Sequence, residues 1–96
     1  MDASTVADSV FPRAAFGLVL RAARLAGGLT QEALAARSGL HLTYVNRVEN
    51  GRVSPSLDAI VLLGRALDLA PSELVRRAES GITAVPERPQ RPDVRR

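Results

Sequence analysis

Apolar residues recur along this chain at helical spacing, and glycine- or proline-containing breaks separate the stretches in which they do so. The first apolar stripe consists of Phe16, Val19, Leu20 and Ala23. A proline precedes it and a glycine pair follows it, so the pattern predicts a helix over residues 12–26. Leu18 and Leu25 fall on the other side of this helix, where we expect them to be exposed on an isolated monomer and available to be covered by the N-terminal arm or by a partner chain.

Residues 30–51 predict two short helices joined by a tight turn. Thr30 is suited to cap the first helix, and Gly39 can adopt the left-handed conformation that ends it. The inner side of this first short helix is predicted to comprise Ala33, Leu34, Ala35 and the aliphatic stem of Arg37. In the second short helix, Val45 and Val48 are three residues apart and define the buried side.

The outward side of that second short helix carries the chemistry of interest. It is predicted to present Leu42, Thr43, Asn46 and Arg47. An arginine can grip guanine with two donors, an asparagine can pair with adenine, and a threonine methyl can touch thymine. Thr43, Asn46 and Arg47 are therefore candidates for reading base edges in a DNA major groove, with Leu42 offering an apolar contact to a thymine methyl.

Two further helices complete the predicted fold. Ser56 is suited to cap a helix over residues 57–67, and Pro71 begins a last helix that Leu74 anchors and that ends near Ser80. The predicted inward stripe of the fourth helix is Leu57, Ile60, Leu63, Gly64 and Leu67, with Gly64 permitting a close helix crossing. The pattern thus predicts an all-α domain of five helices.

Three segments are predicted along the chain. Residues 1–11 lack a periodic pattern and form a flexible arm whose apolar end, Val10 and Phe11, is able to pack on the domain. Residues 12–80 form the helical domain. Residues 81–96 contain three prolines and four arginines, and this composition predicts a disordered tail.

A series of motifs in the usual order and without insertions carries a family resemblance. The motifs are FGLVLRAAR, GLTQEALA, SGL, YVNRVENGR, SPSLDAIVLLGRAL and PSEL, between residues 16 and 74. This series resembles the XRE family of phage repressor and Cro-like helix-turn-helix regulators. The tyrosine within LTYVNRVE also resembles the recognition helices of restriction-modification controller proteins. The resemblance implies a transcriptional regulator that binds double-stranded DNA through the second short helix.

The resemblance also implies roles for individual residues. It places near DNA phosphates the backbone amides of the loop at residues 50–51 and the side chains of Gln31, Tyr44, Asn50, Arg52 and Ser56. It implies an ion pair between Arg24 and Glu49 that orients the first helix against the recognition helix. Two residues depart from the family pattern, since Leu42 stands where relatives often have a polar residue and His41 where a capping side chain is common.

Surplus apolar residues late in the domain raise the question of self-association. They are Val61, Leu62, Leu69 and Val75. Many relatives dimerise through their last helices, which implies a homodimer with two recognition helices about one DNA turn apart. The alternative is that these side chains complete the core of a monomer.

Composition narrows the function classes. The net charge is +3, all thirteen basic residues are arginine, and residues 12–80 hold nine arginines against six acids, which permits DNA binding. The chain has no cysteine and one histidine, so we expect no metal, no cofactor and no enzyme. It has no apolar run long enough for a membrane span, and we expect a cytoplasmic protein without a small-molecule ligand. The alternative function is a protein-interaction module or an antitoxin-like component with the same fold.

Overall fold

The computed structural model of this chain describes residues 11–84, with side chains described for residues 11–81. Within this range there are five helices and no strand, which confirms the predicted all-α fold. In chain order they are α1 (Arg13–Ala26), α2 (Gln31–Ser38), α3 (Leu42–Glu49), α4 (Leu57–Ala66) and α5 (Pro71–Ala84). The predictions for residues 1–10 and 85–96, including Val10 and most of the tail, lie outside the described residues.

The ends of the two short helices follow from local chemistry. The hydroxyl of Thr30 accepts a hydrogen bond of 3.0 Å from the amide of Ala33, which caps α2 as predicted. Gly39 ends α2 with φ of 78°, a left-handed conformation that glycine adopts without strain. Ser56 caps α4 in the same manner as Thr30, through a bond of 3.0 Å from the amide of Ala59.

All five helices contribute to a single core. Its largest fully buried side chains are Phe16, Leu20, Leu34, Val45, Val48, Leu63 and Leu74. Helix α1 packs against α3 and α5, α2 packs against α3 and α4, and α4 packs against α5. The predicted stripe of α1 therefore faces this core. Phe11 also reaches it, since its ring lies 5.8 Å from the ring of Phe16 between centroids.

Two glycines permit close approaches between segments. At Gly17, an added Cβ would collide with the carbonyl oxygen of Glu49 and lie 2.5 Å from that of Val48. The backbone of α1 therefore lies directly on the end of α3, a contact that the sequence analysis did not predict. At Gly64, an added Cβ would lie 2.7 Å from the carbonyl oxygen of Leu69 and 3.2 Å from Pro71, so the segment that approaches is the loop entering α5 and its first residue, where a helix crossing was predicted.

Two predicted core positions are wrong. Leu57 is 82% exposed because it is the first residue of α4 and projects beyond the edge of the core, whereas Ala59 is buried in its place. Arg37 is exposed, and Ser38 is the buried residue at the end of α2. A serine can occupy that position because its hydroxyl donates a hydrogen bond of 3.2 Å to the carbonyl of Ala35.

The last helix differs from the prediction in length. Helix α5 continues to Ala84, beyond the predicted end near Ser80, so residues 81–84 belong to a helix and not to the disordered tail. Leu69 and Val75 pack against the core, whereas Val61 and Leu62 are half-buried and are not among the described side chains packed against it. Leu18 and Leu25 are exposed on α1 at 67% and 57%, as predicted. No helix within residues 11–84 combines the length and apolar character that a bilayer crossing requires.

Candidate nucleic-acid interface

Helix α3 has two chemically different sides. Val45 and Val48 are fully buried, and Glu49 beside them is 7% exposed. The opposite side consists of the exposed residues Leu42, Thr43, Asn46 and Arg47. This outward face has the exposure that was predicted, and the contacts of its side chains with DNA stay predictions.

The beginning of α3 has an unusual cap. His41 occupies the N-cap position with an extended backbone, φ −70° and ψ 145°, and its side chain makes no capping hydrogen bond. The departure seen in the sequence is therefore also a departure in structure. Because the start of α3 has no side-chain cap, the burial of Val45 and Val48 and the contacts of its last turn must hold this helix in place.

The last turn of α3 is tied to α1 by a buried ion pair. Arg24 Nε donates to Glu49 Oε2 at 2.6 Å, and Arg24 Nη2 donates to Glu49 Oε1 at 3.0 Å. The remaining guanidinium nitrogen, Nη1, donates to the carbonyl of Leu29 at 2.9 Å. The hydrogen bonds with Glu49 raise the pKa of Arg24 above its ordinary value, against the opposing effect of burial.

This ion pair continues towards the outward face through amide side chains. Gln31 Nε2 donates to Glu49 Oε1 at 3.0 Å. Asn46 Nδ2 donates in turn to Gln31 Oε1 at 3.2 Å. Gln31 is the first residue of α2, so a predicted phosphate-contacting residue joins the ion pair to a predicted base-reading residue.

The turn after α3 uses its amides in hydrogen bonds to α3 itself. The backbone amides of Asn50 and Gly51 donate to the carbonyls of Asn46 and Val48, at 3.0 and 3.1 Å, so they are engaged at the helix end, and their contact with phosphate stays a prediction. The side-chain amide of Asn50 donates to the carbonyl oxygen of Asn46 at 2.9 Å and to its Oδ1 at 3.3 Å. In this conformation Asn50 is engaged with Asn46, and a phosphate contact would have to share these donors.

Tyr44 connects α3 to the start of α4. Its hydroxyl oxygen accepts a hydrogen bond of 3.1 Å from the backbone amide of Ser56. The phenol hydrogen is not used in that bond, because the backbone amide is the donor. Tyr44 and Ser56, both predicted to contact phosphate, are therefore adjacent, and the hydroxyl of Tyr44 retains a donor.

The charge distribution favours anions on the outward side of α3. Arg47 and Arg52 are exposed, whereas the one acidic residue of α3, Glu49, is buried against Arg24. Glu32 is exposed in the first turn of α2.

No group of three or more histidine, aspartate or glutamate side chains within the described residues is arranged to hold a metal ion.

Sequence reasoning missed the hydrogen bonds among these site residues. The contact between Asn46 and Asn50 follows from helical spacing of four residues and was available from the sequence. The contacts of Gln31 join residues 18 and 15 positions apart, and they depend on how α2 and α3 pack. Among the described contacts that join distant site residues, the ion pair of Arg24 and Glu49 had a signal, which came from the family resemblance.

The fold and this site define a five-helix domain in which α2 and α3 form a helix-turn-helix. The family model described as helix-turn-helix matches residues 20–74, which is more than half of the chain. The chain belongs to the XRE-type helix-turn-helix family of transcriptional regulators.

Restriction-modification control proteins are among its relatives. The chain is 38% identical over 64 residues to the control protein C.BamHI of Bacillus amyloliquefaciens, covering 66% of this chain and 79% of that protein. The crystal structure of the restriction-modification controller protein C.AhdI from Aeromonas hydrophila matches with a TM-score of 0.62 and 49% identity, over 64% of this chain and 92% of that one.

A further relative is a larger regulator. The chain is 43% identical over 60 residues to the uncharacterized HTH-type transcriptional regulator y4dL of Sinorhizobium fredii. The match covers 58% of this chain and spans 31% of that regulator's length. The relatives named here are described as a transcriptional regulator, a control protein and a restriction-modification controller protein.

Proposed function

We propose that this protein binds an operator in double-stranded DNA as a homodimer and regulates transcription there. Helix α3 enters the major groove, and its outward face reads the bases. The observation that carries the proposal is the division of α3 into a fully buried apolar side and an exposed side formed by Leu42, Thr43, Asn46 and Arg47. None of these four side chains packs against the core, and their chemistry suits base edges.

In this proposal each outward residue has its own role. Arg47 is the candidate for two hydrogen bonds to guanine, and Asn46 for two to adenine. Thr43 and Leu42 offer methyl groups to thymine. Leu42 is 41% exposed, so apolar surface is available to such a contact.

Phosphate contacts would set the register of α3 on the duplex. The proposed set is Gln31, Tyr44, Asn50, Arg52 and Ser56. The exposed guanidinium of Arg52 and the free donor of Tyr44 are the strongest members, because neither is consumed by the hydrogen bonds described above. Gln31 keeps one N–H beyond its bond to Glu49, and Asn50 would have to share its donors. Such contacts add affinity without base preference.

A homodimer would place two copies of α3 in successive major grooves. The proposed interface comprises Val61, Leu62, Leu69 and Val75. Because Leu69 and Val75 also pack on the core of one chain, the test uses Leu62, which is not among the described side chains packed against that core. We expect Leu62→Glu to give monomers in analytical ultracentrifugation and weak operator binding, while Ala22→Glu, at an exposed position of α1, leaves the dimer intact. A dimer unaffected by Leu62→Glu would remove this interface from the proposal.

The decisive experiment is selection of bound duplexes from a random DNA library at physiological salt. We expect enrichment of an inverted repeat whose half-site centres are separated by one turn, about 34–36 Å. Specificity is the useful measurement because any basic protein binds DNA to some extent. Recovery of no motif would contradict DNA reading and favour the alternative, a protein-interaction module or an antitoxin-like component.

The relatives favour a more specific role. C.AhdI is described as a restriction-modification controller protein, and this chain is 49% identical to it over the matched region. By that similarity we propose control of a restriction-modification operon. Mapping of bound sites in the source genome would test this, since the sites should lie upstream of genes for a methyltransferase or a restriction endonuclease. Sites confined to other operons would contradict it.

A further inference from the structure

A chain of hydrogen bonds connects the buried ion pair to the outward face of α3. It joins the carboxylate of Glu49 to the side chain of Gln31, Gln31 to Asn46, and Asn46 to Asn50, and it is here called the amide relay. We propose that the amide relay fixes the orientation of the Asn46 side chain, so that Gln31 and Glu49 act as positioning residues for base selection. The inference rests on the proposed function, in which α3 reads DNA. It assigns these two residues a part in specificity that requires no contact with a base.

The buried carboxylate of Glu49 sets which group donates and which accepts at each step of the amide relay. A carboxylate oxygen only accepts hydrogen bonds, and Arg24 donates to both oxygens of Glu49. Gln31 can therefore approach Glu49 Oε1 only with its NH₂ group, which it does at 3.0 Å. The oxygen of the Gln31 amide must then face away from Glu49. An ambiguous amide is thus given one orientation by a buried charge.

The orientation of Gln31 in turn fixes the orientation of Asn46 on the outward face of α3. Because Gln31 presents an oxygen, Asn46 must turn its NH₂ group towards it, at 3.2 Å. The oxygen of Asn46 then faces the amide of Asn50, whose nitrogen lies 3.3 Å from it and 2.9 Å from the carbonyl of Asn46. A reversed Asn46 amide would oppose oxygen to oxygen and NH₂ to NH₂, and both side-chain bonds would be lost.

The relay leaves Asn46 with the groups that base recognition needs. One N–H of Nδ2 and one lone pair of Oδ1 remain unused. The major-groove edge of adenine presents one acceptor and one donor side by side, so an amide must offer its donor and acceptor in the matching order. The amide relay sets that order before DNA arrives. A fixed side chain also loses less conformational freedom on binding than a mobile one.

The variant Gln31→Met tests the relay in the free protein. Methionine has a similar length, removes both bonds of the Gln31 side chain, and occupies a half-buried position that tolerates an apolar group. We expect the side-chain amide resonances of Asn46 in a ¹⁵N-correlated NMR spectrum to move towards those of a free amide. Their cross-peaks to residue 31 should be lost, while the backbone spectrum away from α2 and α3 remains. Unchanged Asn46 amide resonances would overturn the relay.

The effect on DNA recognition separates the relay from a phosphate contact. We expect Gln31→Met to reduce the preference for one base pair in each half-site by about two- to tenfold. The lower value applies if the freed Asn46 amide populates its two orientations equally, because only one of them matches the base. Arg52→Gln is the matched comparison, because loss of a phosphate contact should weaken binding to all sequences alike. If Gln31→Met instead lowers the affinity for all DNA sequences alike and leaves the base preferences unchanged, Gln31 contacts phosphate alone and the positioning role is overturned.

These outcomes distinguish the two proposals. A motif selected by the unaltered protein, with the same preferences in Gln31→Met, contradicts the relay and leaves the proposed function standing. Failure of the unaltered protein to select any motif contradicts the proposed function, and the role of the relay in specificity fails with it. A perturbed Asn46 amide together with relaxed preference at one base pair supports both.

Discussion

Two groups of arginine and glutamate in this molecule have similar chemistry and different locations. Arg24 and Glu49 form a two-bond pair between α1 and α3, with side chains 9% and 3% exposed. Glu73 is bonded by Arg76 and Arg77 within α5, where the arginine side chains are 64% and 44% exposed. The second group follows from spacings of three and four in one helix. The first exists only because the fold brings two distant segments together.

The comparison teaches that the location of a charged group decides its role more than its hydrogen bonds do. Water solvates the Glu73 group, so its arginines and glutamate lose little when they are separated. The pair of Arg24 and Glu49 is removed from water, so loss of one partner leaves a buried charge without compensation. Only the buried pair is also linked to the outward face of α3, through Gln31 and Asn46.

The largest effect is expected from Glu49→Gln. This change leaves the buried guanidinium of Arg24 without a charged partner, and breaking a buried pair costs about 3–5 kcal/mol. Urea unfolding followed by circular dichroism would measure the loss. The matched change Glu73→Gln, in the exposed group, should cost far less. Similar losses in the two variants would show that burial does not separate the two groups.

The next effect concerns the contact that brings Arg24 towards Glu49. Gly17→Ala places a methyl group against the carbonyl oxygens of Val48 and Glu49, so α1 and α3 must separate. We expect a loss of about 1–3 kcal/mol in the free energy of unfolding, the usual cost of overpacking.

Gly81→Ala is the control for that change. Gly81 lies in helix α5, and an added Cβ would meet nothing within 4 Å. Alanine there should stabilise the protein by about 0.5–1 kcal/mol, since glycine is unfavourable in a helix. If Gly17→Ala and Gly81→Ala changed the free energy of unfolding in the same direction, the close approach of α1 to α3 would be contradicted.

Arg47→Ala tests the outward face of α3 without disturbing the buried pair. The side chain is exposed, so stability should change little. If Arg47 reads guanine, discrimination at that base pair should fall by about 1–3 kcal/mol in competition binding with substituted operators. Leu18→Ala, on the exposed face of α1, should leave selectivity as it is. Full selectivity in Arg47→Ala would remove Arg47 from the base-reading set.

The smallest effect is a pH dependence in the exposed group. Hydrogen bonds from Arg76 and then Arg77 lower the pKa of Glu73 from 4.5 to about 2. A carboxylate with a lowered pKa in the folded state adds stability that is present above pH 4.5 and is lost as the pH falls towards 2. The small difference in melting temperature between the unaltered chain and Glu73→Gln should therefore disappear over that range. A difference that stays constant down to pH 2 would contradict this account.

Sequence reasoning succeeded where the cause is local. The caps at Thr30 and Ser56 and the left-handed Gly39 depend on a few neighbouring residues, and all three were predicted correctly. The buried sides of α1 and α3 followed from helical spacing alone. The prediction failed at Leu57, because periodicity assigns a side to a residue but does not show where the neighbouring helices end.

The candidate site was predicted in part for the same reason. The exposed residues of α3 could be found from one helix, since they lie opposite Val45 and Val48. The family resemblance supplied Arg24 and Glu49 as partners. No local pattern indicated that Gln31 bonds both Glu49 and Asn46, or that the amides after α3 are used by the helix itself.

The sequence by itself determined the five helices, most of their ends and the buried sides of α1 and α3, because spacing, caps and glycine conformation act over one or two helical turns. The tertiary structure decided how α1 lies on α3 at Gly17, which charges are withdrawn from water, and which amides face one another. These depend on atoms brought within hydrogen-bond distance by the packing of separate helices. The orientation of Asn46 combines the two, since the sequence supplies the amides and the fold places a buried carboxylate at one end of them.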